Sequence, residues 1–190
     1  MSWIHLEAPE RAAEPARTVF DEIRERSASG RVNHFWQACG LDPVGLEALH
    51  EHARALMGEP TPLTIAQAEM IAVVVSATNG CGYCVAHHGP KLAAACENEA
   101  LARAVARDYR QADLAARDRV LLDYAVALTC EPAERTRDDV ERLREYGFDD
   151  ASILKATEIT AYYNQANRLA SGLGVTLEPG VEPWEFGAVE

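Results

Sequence analysis

Apolar residues along this chain recur at spacings of three and four, and no stretch sustains the two-residue alternation of a half-buried strand. The pattern predicts an all-α fold. A first helix is expected from Glu14 to Arg26, striped by Val19, Phe20 and Ile23, with Ser27 to Gly30 ending it. The residues before it, about 1–13, read as an irregular arm. A short turn is expected from Asn33 to Cys39. A helix then starts at Asp42-Pro43, where Asp can cap and Pro suits the first helical position, and it buries Leu46, Leu49 and Leu56.

The next start is sharper. Thr64-Ile65-Ala66-Gln67 has the form of a capping box ahead of the apolar run Met70 to Val75, and this helix should end at Asn79-Gly80. Gly80 supplies permissive backbone for the junction, so a new helix from Cys81 to about Ala95 places two cysteines, Cys81 and Cys84, at a helix N-terminus. Further helices are expected at about Asn98 to Arg107, Ala115 to Thr129, Thr136 to Tyr146 and Ser152 to Ser171. From Glu178 on, with Pro179, Gly180 and Pro183, the tail should be irregular.

Bulk properties narrow the classes of function. A chain of 190 residues suits one domain spanning 1–190, with an arm at about 1–13 and a tail at about 178–190. A net charge of −12 and the lack of a basic stripe argue against nucleic acid. The longest apolar stretch, Ile71 to Val75, is far short of the roughly twenty residues of a membrane span, and the N-terminus lacks the pattern of a secretory signal. A cytoplasmic protein is therefore expected. In a reducing compartment a close cysteine pair is more often catalytic or metal-binding than a structural staple.

Cys81, Cys84 and His88 lie at i, i+3 and i+7, on one helix face over two turns. Unpaired N–H groups at a helix start favour a thiolate, the form that attacks peroxide oxygen. The dipole favours ionisation of Cys81, whereas His88, one turn beyond Cys84, gives Cys84 the nearer proton acceptor; we weight the histidine above the dipole. Glu69, on the preceding helix, can orient that imidazole if the two helices pack as a hairpin. Two thiolates and one imidazole are also compatible with zinc, but no second CxxC or distal His-x-x-x-His is present, so no metal is expected. Cys39, Cys96 and Cys130 have no partner nearby in sequence and read as small buried hydrophobes. No flavin or haem motif is visible, so no cofactor is expected and the electrons of any redox cycle must come from a partner.

Together the residues read Glu69, eleven others, Cys81-x-x-Cys84, three others, His88. This spacing resembles the signature of the alkylhydroperoxidase AhpD group within the carboxymuconolactone decarboxylase superfamily, and Val74 to His88 is especially similar to its peroxidase-related subgroup. The similarity is strong from about Leu63 to Leu92, with weaker echoes at Val32 to Phe35, Leu121 to Val126 and Tyr163 to Ala170. It implies an AhpD-like domain of orthogonally packed helices that forms homo-oligomers. It further implies a thiol-dependent peroxidase acting on a small alkyl hydroperoxide or hydrogen peroxide, recharged by an external lipoyl- or thioredoxin-like dithiol. In the implied roles Cys84 attacks, Cys81 resolves, and Glu69 and His88 relay protons. One departure stands out: the well-studied members place a histidine just before the second cysteine, where this chain has Tyr83, and Tyr83 and His87 are taken as supporting residues. The alternatives are a carboxymuconolactone-decarboxylase-type reaction, or a non-enzymatic thiol sensor or zinc module.

Overall fold

In a computed structural model of the protein, which describes residues 1–27, 29–58 and 61–187, these residues form nine α-helices and no strand. They are α1 (Ala16–Arg26), α2 (His34–Cys39), α3 (Pro43–Met57), α4 (Ile65–Thr78), α5 (Gly82–Cys96), α6 (Glu99–Asp108), α7 (Ala116–Cys130), α8 (Arg137–Glu145) and α9 (Asp150–Gly172). The all-α expectation is met. Among the described residues no helix is long and apolar enough to cross a membrane.

α4 organises the whole. Its residues from Gln67 to Ala77 are all buried, so it has no solvent face and packs against α5, α6, α7 and α9 at once. The Thr64 capping box is formed, with Thr64 Oγ1 accepting from Gln67 N and Gln67 Oε1 accepting from Thr64 N, each at 3.1 Å. The main core surrounds this helix. A second cluster of Val19, Phe20, Ile23, Val32 and Leu46 lies where α1 crosses α3.

Two expectations need correction. The Asn33 to Cys39 segment is not a turn but the helix α2, started by Asn33, whose side chain accepts from Trp36 N at 3.2 Å. Six residues are too few to display a 3.6-residue period, so only the cap could have signalled it. The three unpaired cysteines are not buried hydrophobes as a group: Cys130 is exposed, and Cys39 and Cys96 are partly exposed. Burial, with Asp42 nearby, still pushes the Cys39 thiol up to about 11, so it stays protonated at neutral pH.

The first fifteen residues are irregular but anchored, with Trp3 N donating to Leu173 O and Glu7 N to Gln37 O, both at 3.0 Å. The tail up to 187 is likewise irregular; its last residues, 188–190, and Ala28 in the segment ending the first helix lie outside the described residues.

Candidate active site

The site begins with a backbone turn. Gly80, at φ +68°, ends α4 in the left-handed region: its N–H donates to Ala77 O at 3.0 Å and that of Cys81 to Ser76 O at 2.8 Å. This double closure satisfies the last carbonyls of α4 and leaves Cys81 as the N-cap residue of α5. Cys84 follows one turn later, and the two sulfurs lie 2.9 Å apart without a covalent bond. Both residues are buried, at 3% and 6% exposure.

Their titration is asymmetric. Cys81 falls to about 7, chiefly because the Cys84 thiol can donate to its thiolate, with Ser171 and Asn167 helping and burial opposing. Cys84 is raised, first by that same hydrogen bond and then by burial. As pH rises through about 7 the pair therefore loses its first proton from Cys81, leaving the charge at the helix N-terminus and the remaining proton on Cys84.

Glu69 and His88 meet as the hairpin of α4 and α5 requires. Glu69 Oε2 is 2.7 Å from His88 Nδ1, in a site where Glu69 is only 6% exposed. With the Nδ1 proton committed to that carboxylate, Nε2 is left as acceptor, and the Tyr163 hydroxyl lies 3.2 Å from it. Burial holds His88 below its ordinary value, with Glu69 opposing, so the imidazole is neutral at pH 7. Burial raises Tyr163 well above its own, so it keeps its O–H. Besides burial, the charges of Glu69 and Cys84 also oppose its ionisation.

Tyr83 and His87 turn to a different carboxylate. Glu178, from the tail, accepts from the Tyr83 hydroxyl at 2.7 Å and pairs with His87 Nε2 at 2.8 Å, while His34 N donates to it as well. The Tyr83 oxygen also accepts from Phe35 N at 3.1 Å. A phenol bonded on both sides serves as a strut. The tail continues over α5, with Trp184 against Gly89, where a Cβ would lie 2.3 Å from the indole, and Phe186 against Gly82.

Burial alone would raise Glu178, but His87, His34 N–H and Tyr83 more than offset it and hold the carboxyl at about 2. A group depressed from its ordinary 4.5 contributes stability that is present above that value and lost as pH falls toward about 2. Glu178→Ala is accordingly expected to cost about 1–3 kcal/mol, by leaving three donors unpaired. In thermal melts across pH, the gap between wild type and variant should be constant above pH 5 and shrink in acid.

Residues 43–109 match the model of the carboxymuconolactone decarboxylase family. A crystal structure of an uncharacterised peroxidase-related protein from Silicibacter sp. TM1040 superposes with a TM-score of 0.87 at 30% identity, covering 95% of this chain and 93% of that one. The chain belongs to the AhpD-like carboxymuconolactone decarboxylase superfamily. An AhpD-core peroxidase-related protein from Ralstonia eutropha JMP134 is equally similar, with a TM-score of 0.87 and 30% identity over 94% of this chain and 93% of that one. The debrominase Bmp8, solved as a cysteine-to-alanine variant with 2,3,4-tribromopyrrole, shares the fold with a TM-score of 0.79 at 17% identity, covering 94% and 95%. No curated protein sequence matches significantly.

The α4–α5 hairpin thus brings Cys81 to Cys84 and, one turn further along α5, His88 to Glu69, with Tyr83 and His87 in a neighbouring cluster around Glu178. Among the described residues no group of three or more His, Cys, Asp and Glu is placed to hold a metal ion. Sequence reasoning missed Tyr163, Asn167 and Glu178. Asn164, Asn167 and Ser171 recur at spacings of three and four along α9, beside the buried Tyr163 and Ala170, and that polar stripe was the available signal. Glu178 stands on irregular chain and offered none.

Proposed function

We propose that this chain is a two-cysteine peroxidase that reduces a small alkyl hydroperoxide or hydrogen peroxide. The observation that carries the reading is the unbonded, buried Cys81–Cys84 pair at 2.9 Å, at a helix N-terminus and beside a neutral, carboxylate-held His88. The Cys84 proton passes to the free Nε2 of His88, which Glu69 holds from the other side, and the freed Cys84 sulfur attacks the terminal peroxide oxygen. The O–O bond breaks, and the departing alkoxide takes a proton through the Tyr163, His88 and Glu69 group, leaving a sulfenic acid on Cys84. Cys81, with its ionisation near 7, then attacks the Cys84 sulfur and expels hydroxide, which is protonated to water as the disulfide forms. An external lipoyl- or thioredoxin-like dithiol returns the two electrons, and the chain works as a homo-oligomer. Glu69 and His88 support this role for Cys84, since His88 lies one helical turn beyond it on α5.

The test is peroxide consumption by purified protein with a dithiol donor, against a Cys81→Ser, Cys84→Ser double variant. Activity confined to wild type supports the peroxidase; equal activity in both would sink it. Intact mass with and without peroxide should show a loss of two hydrogen atoms, from formation of the Cys81–Cys84 disulfide.

A further inference from the structure

Behind the two sulfurs lies a chain of side-chain amides, whose direction can be worked out from its ends. Arg168 has no acceptor, so its Nη1 must donate to Asn164, reaching both the backbone oxygen and Oδ1 at 2.8 Å. The Asn164 amide nitrogen in turn faces the Thr160 carbonyl, which can only accept, at 3.0 Å, and the Thr129 hydroxyl at 3.0 Å. Those two ends fix the orientation of Asn164. Its Oδ1 therefore receives the Asn79 amide at 3.1 Å, and the same Asn79 nitrogen gives its second proton to Asn167 Oδ1 at 3.0 Å. With its oxygen held, Asn167 presents N–H groups the other way. One reaches the fully buried Ser76 hydroxyl at 3.0 Å, and the Ser76 carbonyl accepts from Cys81 N at 2.8 Å, which sets the amide beside the pair, where its N–H groups favour the charged form of either sulfur.

We infer that Asn167 is a positioning residue for the redox pair, and that Arg168, Asn164 and Asn79 orient it so that whichever sulfur is charged meets an amide N–H. Asn167 is 2% exposed, so this donor works where water cannot replace it. The consequence is thermodynamic: a donor that favours thiolate over thiol stabilises the reduced pair against the disulfide. Three helices cooperate in this, Asn79 at the end of α4, the cysteines on α5, and Asn164, Asn167 and Arg168 on α9. The inference deepens the peroxidase reading but concerns the dithiol itself. The ionisable groups that interact with Cys84, Tyr83 from α5 and Tyr162 and Tyr163 from α9, and the Glu69–His88 pair one turn further along α5, are the same in every variant below.

The experiment reads thiol ionisation, as the pH dependence of iodoacetamide alkylation followed by mass, and the dithiol–disulfide equilibrium in a dithiothreitol buffer. Asn167→Ala should move the first ionisation up by about one pH unit and shift the equilibrium about tenfold toward disulfide. The isosteric Asn167→Asp, which sets a carboxylate against the thiolate, should move both further in the same direction. Arg168→Met, at an exposed position, should move both less, and Arg168→Lys should restore the wild-type values. If Asn167→Ala does not fold, the Asp and Met variants carry the test, with circular dichroism reporting the fold. Folded variants with wild-type ionisation and equilibrium would overturn the inference. Neither readout uses peroxide, so shifts as expected in a protein without peroxide turnover would count against the peroxidase reading alone.

Discussion

Cys84→Ser is expected to reduce dithiol-dependent peroxide consumption to background, a loss of at least about 10³-fold, because a hydroxyl cannot replace the attacking sulfur. Cys81→Ser should also stop turnover but leave a single event, a trappable sulfenic acid on Cys84. The two sulfurs should nevertheless answer differently to different reagents. Iodoacetamide releases iodide, which needs no proton, so it reports where the resting charge lies and should label Cys81 first, the thiol held at about 7. Peroxide releases an alkoxide or hydroxide, which does need a proton, so it reports which sulfur is served by an acid. That sulfur is expected to be Cys84, one helical turn before His88 on α5, whose Nδ1 Glu69 holds at 2.7 Å. Peptide mass mapping after each reagent should therefore find alkylation at Cys81 and sulfenylation at Cys84. Sulfenic acid on Cys81 in the Cys84→Ser variant, formed at the wild-type rate, would reverse the roles and make the resting charge the better guide.

The second large effect is expected at His88. His88→Ala should slow formation of the sulfenic acid by about 10²–10⁴-fold, the range that a positioned acid or base supplies, with little change in iodoacetamide labelling of Cys81. Glu69→Gln should fall in between, since an amide can still orient the imidazole but cannot hold the charge that the ring acquires on taking a proton. In wild type the rate should rise with pH through about 7, where the pair loses its first proton, and His88 is already neutral there. Stopped-flow measurements of the first step over pH 5 to 9 check both points. Equal rates for His88→Ala and wild type at every pH would remove the histidine from the mechanism.

The same imidazole bears on stability. His88 and His50 are both held below their ordinary values, first by burial, so the unfolded chain binds protons more readily than the folded one. Their burial therefore makes the fold more stable at pH 7 than at pH 5, with the loss setting in as pH falls through about 6.5.

The helices and the first version of the site follow from local rules that act over a few residues. Thr64 and Gln67 form a capping box wherever helix geometry puts them, and Gly80 can end α4 in the left-handed region because it has no Cβ. Once Gly80 closes α4, Cys81 must cap α5, and the spacing to Cys84 and His88 orders them along that helix. Glu69 needed one more condition, that α4 and α5 pack as a hairpin, and the unbroken apolar stretch of α4 ensures that it is packed on every side. What lies beyond these elements depends on contacts between residues far apart in the chain. Tyr163 reaches His88 and Asn167 reaches Ser76 only because α9 packs against α4 and α5, and Glu178 reaches Tyr83 and His87 only because the tail returns over α5. No local pattern encodes such a contact, since each depends on how whole helices fill the space around α4. The charge of the cysteine pair belongs to this second class. Spacing set the two sulfurs on one face, but the burial and neighbours that leave the proton on Cys84 exist only once α4, α5 and α9 have closed around them.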